Sequence, residues 1–159
     1  MACDLRTEGA GGLVTPDQVE VVQRTWRAVQ SVGGTAAELF YGKLFSLDPR
    51  IESLFHQHLR EQGRSLTAMI SVVVGSLSHP ERILLAVRQL GHRHAVYGVE
   101  PRHYELGRIA LLWTLEQVLE EAFTPPVRAA WASVYDLFAA TMQGGGLSPP
   151  TKAPRALPS

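Results

Sequence analysis

Five times along this chain a proline stands at the head of a segment whose apolar residues return every three or four positions. The five are Pro16, Pro49, Pro80, Pro101 and Pro125, and they follow Thr15, Asp48, His79, Glu100 and Thr124. A proline ring fixes φ and lacks the N–H that the first turn of a helix leaves unpaired, so it suits a helix start and breaks a helix interior. The prolines therefore mark beginnings, and the stretches between them predict an all-α chain of seven to eight helices. Thr15-Pro16-Asp17-Gln18 is the best-signed start, with an N-cap, a proline and a Gln placed for a capping box. Val19, Val22, Trp26 and Val29 follow at helical spacing, and Gly33-Gly34 is expected to end that helix. Further helices are predicted over 35–46, a short turn from Asp48 to Phe55, then 60–77, 78–94, 100–122 and 124–142. In 60–77, Leu66, Met69, Ile70, Val73, Val74 and Leu77 share one wide face. The β-branched run Ile70–Val74 would suit a strand but has no partner strand.

A length of 159 residues allows one domain with a sizeable core. Residues 1–14 are short, polar and glycine-containing, and residues 144–159 carry three glycines and four prolines, so both read as flexible tails around a domain over 15–143. Fifteen basic and fifteen acidic side chains cancel, which gives no electrostatic reason to expect nucleic acid or an anionic membrane as partner. The single cysteine, Cys3, excludes an internal disulfide, a Cys-rich metal cage and the C-x-x-C-H attachment of covalent haem. No apolar stretch approaches the ~20 residues of a membrane helix, and the first residues lack a signal-like run, so the expected location is cytoplasmic without membrane insertion.

Ile83, Val87, Leu90 and His94 recur at spacings of four, three and four, which places His94 on an apolar face. A buried imidazole needs a partner for each nitrogen. A metal with a backbone carbonyl meets that need, and so do two ordinary hydrogen bonds; the spacing leaves both open. Zinc is poorly supported. The His56-Gln57-His58 and His92-Arg93-His94 pairs stand two residues apart, on nearly opposite faces of a helix, and there is no His-Glu-x-x-His.

Taken in order, Tyr41, Phe55, Gln62, Leu66, His94, Tyr104, Trp131 and Tyr135 resemble the bacterial single-domain globins, with the haem domain of flavohaemoglobins and the Vitreoscilla-type haemoglobins as the nearest likeness. The resemblance covers about 15–142. It is carried by Leu39-Phe40-Tyr41 with Leu44-Phe45 and Pro49 to Phe55, by Leu90-Gly91-His92-Arg93-His94 with Tyr97-Gly98-Val99 and His103-Tyr104, and by Ala130-Trp131 with Val134-Tyr135.

The resemblance implies a globin fold around haem b, with His94 as the proximal iron ligand. It implies that Phe55 stacks on the porphyrin, that Leu66, Val87, Leu90, Val99 and Ile109 form apolar walls, and that Tyr41 and Gln62 face a bound gas. A phenol O–H and an amide N–H within ~3 Å of a gas that gains negative charge on binding are suitable donors. Each such bond contributes ~1.5–3 kcal/mol, so two would slow oxygen loss by a factor on the order of 100. Tyr104 matches the tyrosine that the family pairs with its proximal histidine, but the glutamate of that arrangement should fall near Gly146, where no carboxylate stands. Arg60, Arg64, His92 and Arg93 are candidates to pair with haem propionates, and His56 and His58 to reach iron in a six-coordinate resting form. The function so implied is reversible binding of O2, CO and NO, with conversion of NO to nitrate by electrons from a separate reductase. The alternative is a haem-based gas or redox sensor acting through a partner. A haem-free helical module is disfavoured by the joint presence of Tyr41, Gln62 and His94.

Overall fold

A computed structural model of the chain describes residues 14–54, 59–96 and 98–144. The segments expected as tails lie outside these residues except for Val14 and Gly144. Six α-helices run in order: α1 (Pro16–Gln30), α2 (Gly33–Leu47), α3 (Leu59–Gly75), α4 (Leu84–Val96), α5 (Pro101–Leu119) and α6 (Pro125–Met142). Three short 3₁₀ segments, Pro49–Leu54, Pro80–Arg82 and Glu120–Ala122, connect them. No strand occurs among the described residues, and Ile70–Val74 lies within α3, so the chain is all-α as its pattern requires.

Each of the five prolines opens a helical segment. At α1 the capping box forms: the Gln18 N–H donates to Thr15 Oγ1 and the Thr15 N–H to Gln18 Oε1, each at 3.1 Å. Two boundaries differ from the pattern. Gly33-Gly34 opens α2 instead of closing α1, because the chain turns within Ser31 and Val32 and then starts the next helix close to α3. A Cβ on Gly33 would come within 3.3 Å of Thr67 Cγ2. Pro80 starts only a 3₁₀ turn; Ile83, at φ −121° and ψ 0°, breaks it before α4 begins.

The main core joins α1, α3, α4, α5 and α6 around Trp26, Leu112, Leu115, Trp131 and Phe138. Trp26 and Trp131 meet at 6.0 Å between ring centroids, and the Trp131 Nε1–H donates to Thr25 Oγ1 at 2.9 Å. That bond satisfies the one polar atom of a side chain 2% exposed, where an unpaired N–H would cost about 1–3 kcal/mol. A second, smaller cluster gathers Tyr41, Leu44, Ile51 and Ala110 between α2, the first 3₁₀ segment and α5. Asp48 at the end of α2 accepts from the Arg50 backbone N–H and Nε, both at 3.1 Å, and from Arg102 Nη1 at 2.8 Å. Those bonds from Arg50 and Arg102 hold its carboxyl well below the usual carboxylate range and clamp the end of α2 to the start of α5. On the other side α4 seats directly on the end of α6. A Cβ at Gly91 would overlap the Met142 backbone carbonyl, so only glycine permits this approach.

Candidate functional site

Where the two clusters face each other the packing opens into a cavity of about 360 Å3. That size lies within the range of cofactor and small-molecule sites. Its wall takes Tyr41 and Leu44 from α2, Leu66, Met69, Ile70 and Val73 from α3, and Leu90 and His94 from α4. It is completed by Val99, by His103, Tyr104, Gly107 and Leu111 from α5, and by Val134, Tyr135, Phe138 and Met142 from α6. Most of these side chains are aliphatic or aromatic, so the few polar ones define the chemistry.

His94 is half-buried in the last turn of α4. Its Nδ1 lies 2.8 Å from the Leu90 carbonyl oxygen. A carbonyl only accepts, so Nδ1 carries the proton and Nε2 keeps the lone pair. This is the backbone-anchored tautomer found where an imidazole binds a metal through its other nitrogen. The Tyr104 ring lies face-on to His94, with centroids 6.3 Å apart and an interplanar angle of 28°. Tyr104 is held in turn: the Tyr135 hydroxyl donates to its backbone oxygen at 2.6 Å. Gly107 leaves room for that hydroxyl, since a Cβ there would stand 2.6 Å from it. Burial pushes the phenols of Tyr104 and Tyr135 above the ordinary tyrosine value.

Tyr41 is 7% exposed, with Phe40 edge-on at 5.2 Å and Phe45 at 6.0 Å. Burial pushes its phenol up to about 12, so across the physiological range it remains protonated and able to donate.

Eight of the residues whose order carried the resemblance, or that it implied for the site, line this one cavity: Tyr41, Leu66, Leu90, His94, Val99, Tyr104, Trp131 and Tyr135. Val87 does not join them. It is buried in the main core two turns before His94, and the cavity begins only at Leu90. Ile109 is 48% exposed and turned away from the cavity. The wall of α5 is Tyr104, Gly107 and Leu111, and a residue two positions from Gly107 sits ~200° around the helix, so an apolar-wall role for Ile109 does not fit. Gln62 lies on α3 one turn before Leu66. Its side chain, Phe55, His56, His58, the Arg60 side chain and Gly146 fall outside what is described. Arg64, His92 and Arg93 are exposed and do not line the cavity.

Sequence reasoning passed over Met69, Val73, Leu111, Phe138 and Met142 as wall residues. Their helical spacing marks them as core, and a cavity inside a core shares that signal. His103 carried a better clue, as a histidine three residues after Glu100 at a proline-led helix start.

The residues present fit a haem. One imidazole with an anchored tautomer and a free lone pair, set in an apolar wall, suits a metal whose other ligands come with it in a flat apolar macrocycle. Residues 38–142 match the globin family. The chain is 31% identical to a flavohaemoprotein of Deinococcus radiodurans over 135 residues, covering 83% of this chain and 34% of that one. It is 26% identical to a flavohaemoprotein of Vibrio cholerae over 126 residues, covering 77% and 32%. The chain therefore spans about a third of the length of these curated relatives. In fold it is similar to an engineered carbene transferase built on a candidate nitric oxide dioxygenase of Rhodothermus marinus. The TM-score is 0.74 and the identity 24%, over 82% of this chain and 92% of that one.

Proposed function

Because this chain belongs to the globin family, and its flavohaemoprotein relatives imply a haem cofactor, we propose that it holds one haem b through His94 and binds dioxygen and other diatomic gases. We assign it the further capacity to combine nitric oxide, dioxygen and one electron into nitrate, the electron coming from a separate reductase. The observation that carries the reading is the His94–Leu90 hydrogen bond, which leaves Nε2 as a lone-pair donor on an apolar cavity wall.

When bound, the haem supplies an iron centre for gases and for one-electron chemistry. The chain's own residues do the rest. The Leu90 carbonyl fixes the tautomer of His94 and raises its basicity, while Tyr104 stacks on the ring and limits its rotation. The largely apolar side chains of α3 and α6 leave little for water to bind, which strengthens any hydrogen bond made inside. Tyr41, protonated at every physiological pH, is the assigned donor to bound gas, with Gln62 from α3 as the second.

The test is the absorption spectrum and oxygen kinetics of the reconstituted chain. A Soret band that shifts on reduction and on adding carbon monoxide is expected, and His94→Ala should abolish stable haem retention. Tyr41→Phe should raise the oxygen dissociation rate by about tenfold, the weight of one charge-assisted hydrogen bond. An unchanged rate refutes the role given to Tyr41. Mixing the oxygenated protein with nitric oxide and measuring nitrate tests the conversion.

A further inference from the structure

Two imidazoles stand on the cavity wall, and their hydrogen bonds give them opposite tautomers. At His94 the partner of Nδ1 is a carbonyl, so that nitrogen carries the proton. At His103 the partner is the backbone N–H of Glu100, which donates to Nδ1 at 2.8 Å. A backbone N–H only donates, so Nδ1 of His103 must be bare and the proton sits on Nε2. His103 is therefore unsuited to give a lone pair to a metal and suited to give an N–H to an acceptor. The helix start holds it so: the His103 backbone N–H in turn donates to the Glu100 carbonyl oxygen at 2.8 Å at the head of α5. Glu100 also accepts from Arg102 Nε at 3.3 Å, and Arg102 is tied to the buried Asp48 at 2.8 Å. One polar chain, from the end of α2 to the head of α5, ends at His103, which lines an otherwise largely apolar cavity.

We infer that the Nε2–H of His103 is a recognition group for a carboxylate of the porphyrin, making His103 a binding residue for the cofactor's acidic edge. The inference rests on the haem reading above. A porphyrin with two carboxylates cannot bury them unpaired, so its acidic edge belongs at the rim of the cavity. His103 is only half-buried there, whereas Arg64, His92 and Arg93 are exposed and absent from the wall. A neutral N–H held in place by its own helix cap adds specificity without introducing a second charge to desolvate.

The experiment loads the apoprotein with haem and, separately, with haem dimethyl ester, whose carboxylates are blocked. Loss of each to an excess of a haem scavenger is then followed by absorbance. His103→Leu should speed haem loss at least about tenfold and leave loss of the ester unchanged. His103→Asp keeps an acceptor for the Glu100 N–H, so the helix start survives, but it presents negative charge; it should speed haem loss further and again spare the ester. Equal acceleration of both porphyrins by the two variants means that His103 serves only the fold, and that overturns the inference. No acceleration of haem loss also overturns it. A wild-type chain that takes up neither porphyrin refutes the haem reading itself, an outcome separable from the other two.

Discussion

Gly107→Ala should destabilise this protein, although alanine is the better helix former. Gly107 is buried in α5, and the alanine Cβ would stand 2.6 Å from the Tyr135 hydroxyl, where ordinary contact begins at 3.4 Å. The ring must therefore retreat by roughly 0.8 Å, yet it is tethered by the 2.6 Å bond to the Tyr104 carbonyl. Losing that bond costs about 1 kcal/mol, and forcing extra volume into packed side chains about 1–3 kcal/mol. The gain in helix propensity from Gly to Ala offsets only ~0.8–1 kcal/mol. A net loss of about 1–3 kcal/mol follows. With Tyr135→Phe as background the offending oxygen is gone, and the nearest ring atom, Cζ, lies at 3.7 Å, an ordinary contact. There the same substitution should stabilise by up to about 1 kcal/mol. Urea unfolding of the four proteins of this double-mutant cycle measures the coupling, expected at about 2–4 kcal/mol because the helix-propensity gain cancels between backgrounds. If Gly107→Ala has the same sign and size in both backgrounds, the close approach of Tyr135 does not govern this site.

Two further outcomes follow from single side chains. Thr114 is 3% exposed and its hydroxyl has no hydrogen-bond partner among the described residues, so Thr114→Val, which replaces that oxygen by a methyl of similar size, should stabilise by about 1 kcal/mol in denaturant unfolding; a loss would mean that the hydroxyl serves a polar partner such as an internal water. Asp48 has its carboxyl depressed by Arg50 and Arg102, so its stabilising contribution is present above the ordinary carboxylate pKa and is lost as pH falls through the lower folded value. Asp48→Asn should therefore be less stable near neutrality, and the gap to the wild type should begin to close only as pH falls below about 4, narrowing further toward the lower folded value; parallel curves at all pH values would remove Asp48 from the acid response.

The helices were legible because their signals are local. A proline at a helix start, the Thr15–Gln18 capping box and apolar residues three or four apart act through neighbouring backbone atoms, and the five proline-led starts recur in the structure. Boundaries set by contact between distant segments were not legible: Gly33-Gly34 opens α2 where α3 comes close, and Ile83 interrupts the run from Pro80 into α4. The order of Tyr41, Leu66, His94 and Tyr104 marked a common site, and all four line one cavity. Val87 and Ile109 share the composition of wall residues but not their position.

The sequence by itself determined an all-α chain, since helix starts, stops and faces are written in residues a few places apart. Only the tertiary structure decided which apolar side chains surround a space and which fill one. That depends on atoms brought together from far along the chain, and spacing carries no record of it. The tautomers of the cavity histidines are set closer by, through partners four and three residues away, once the helices have formed.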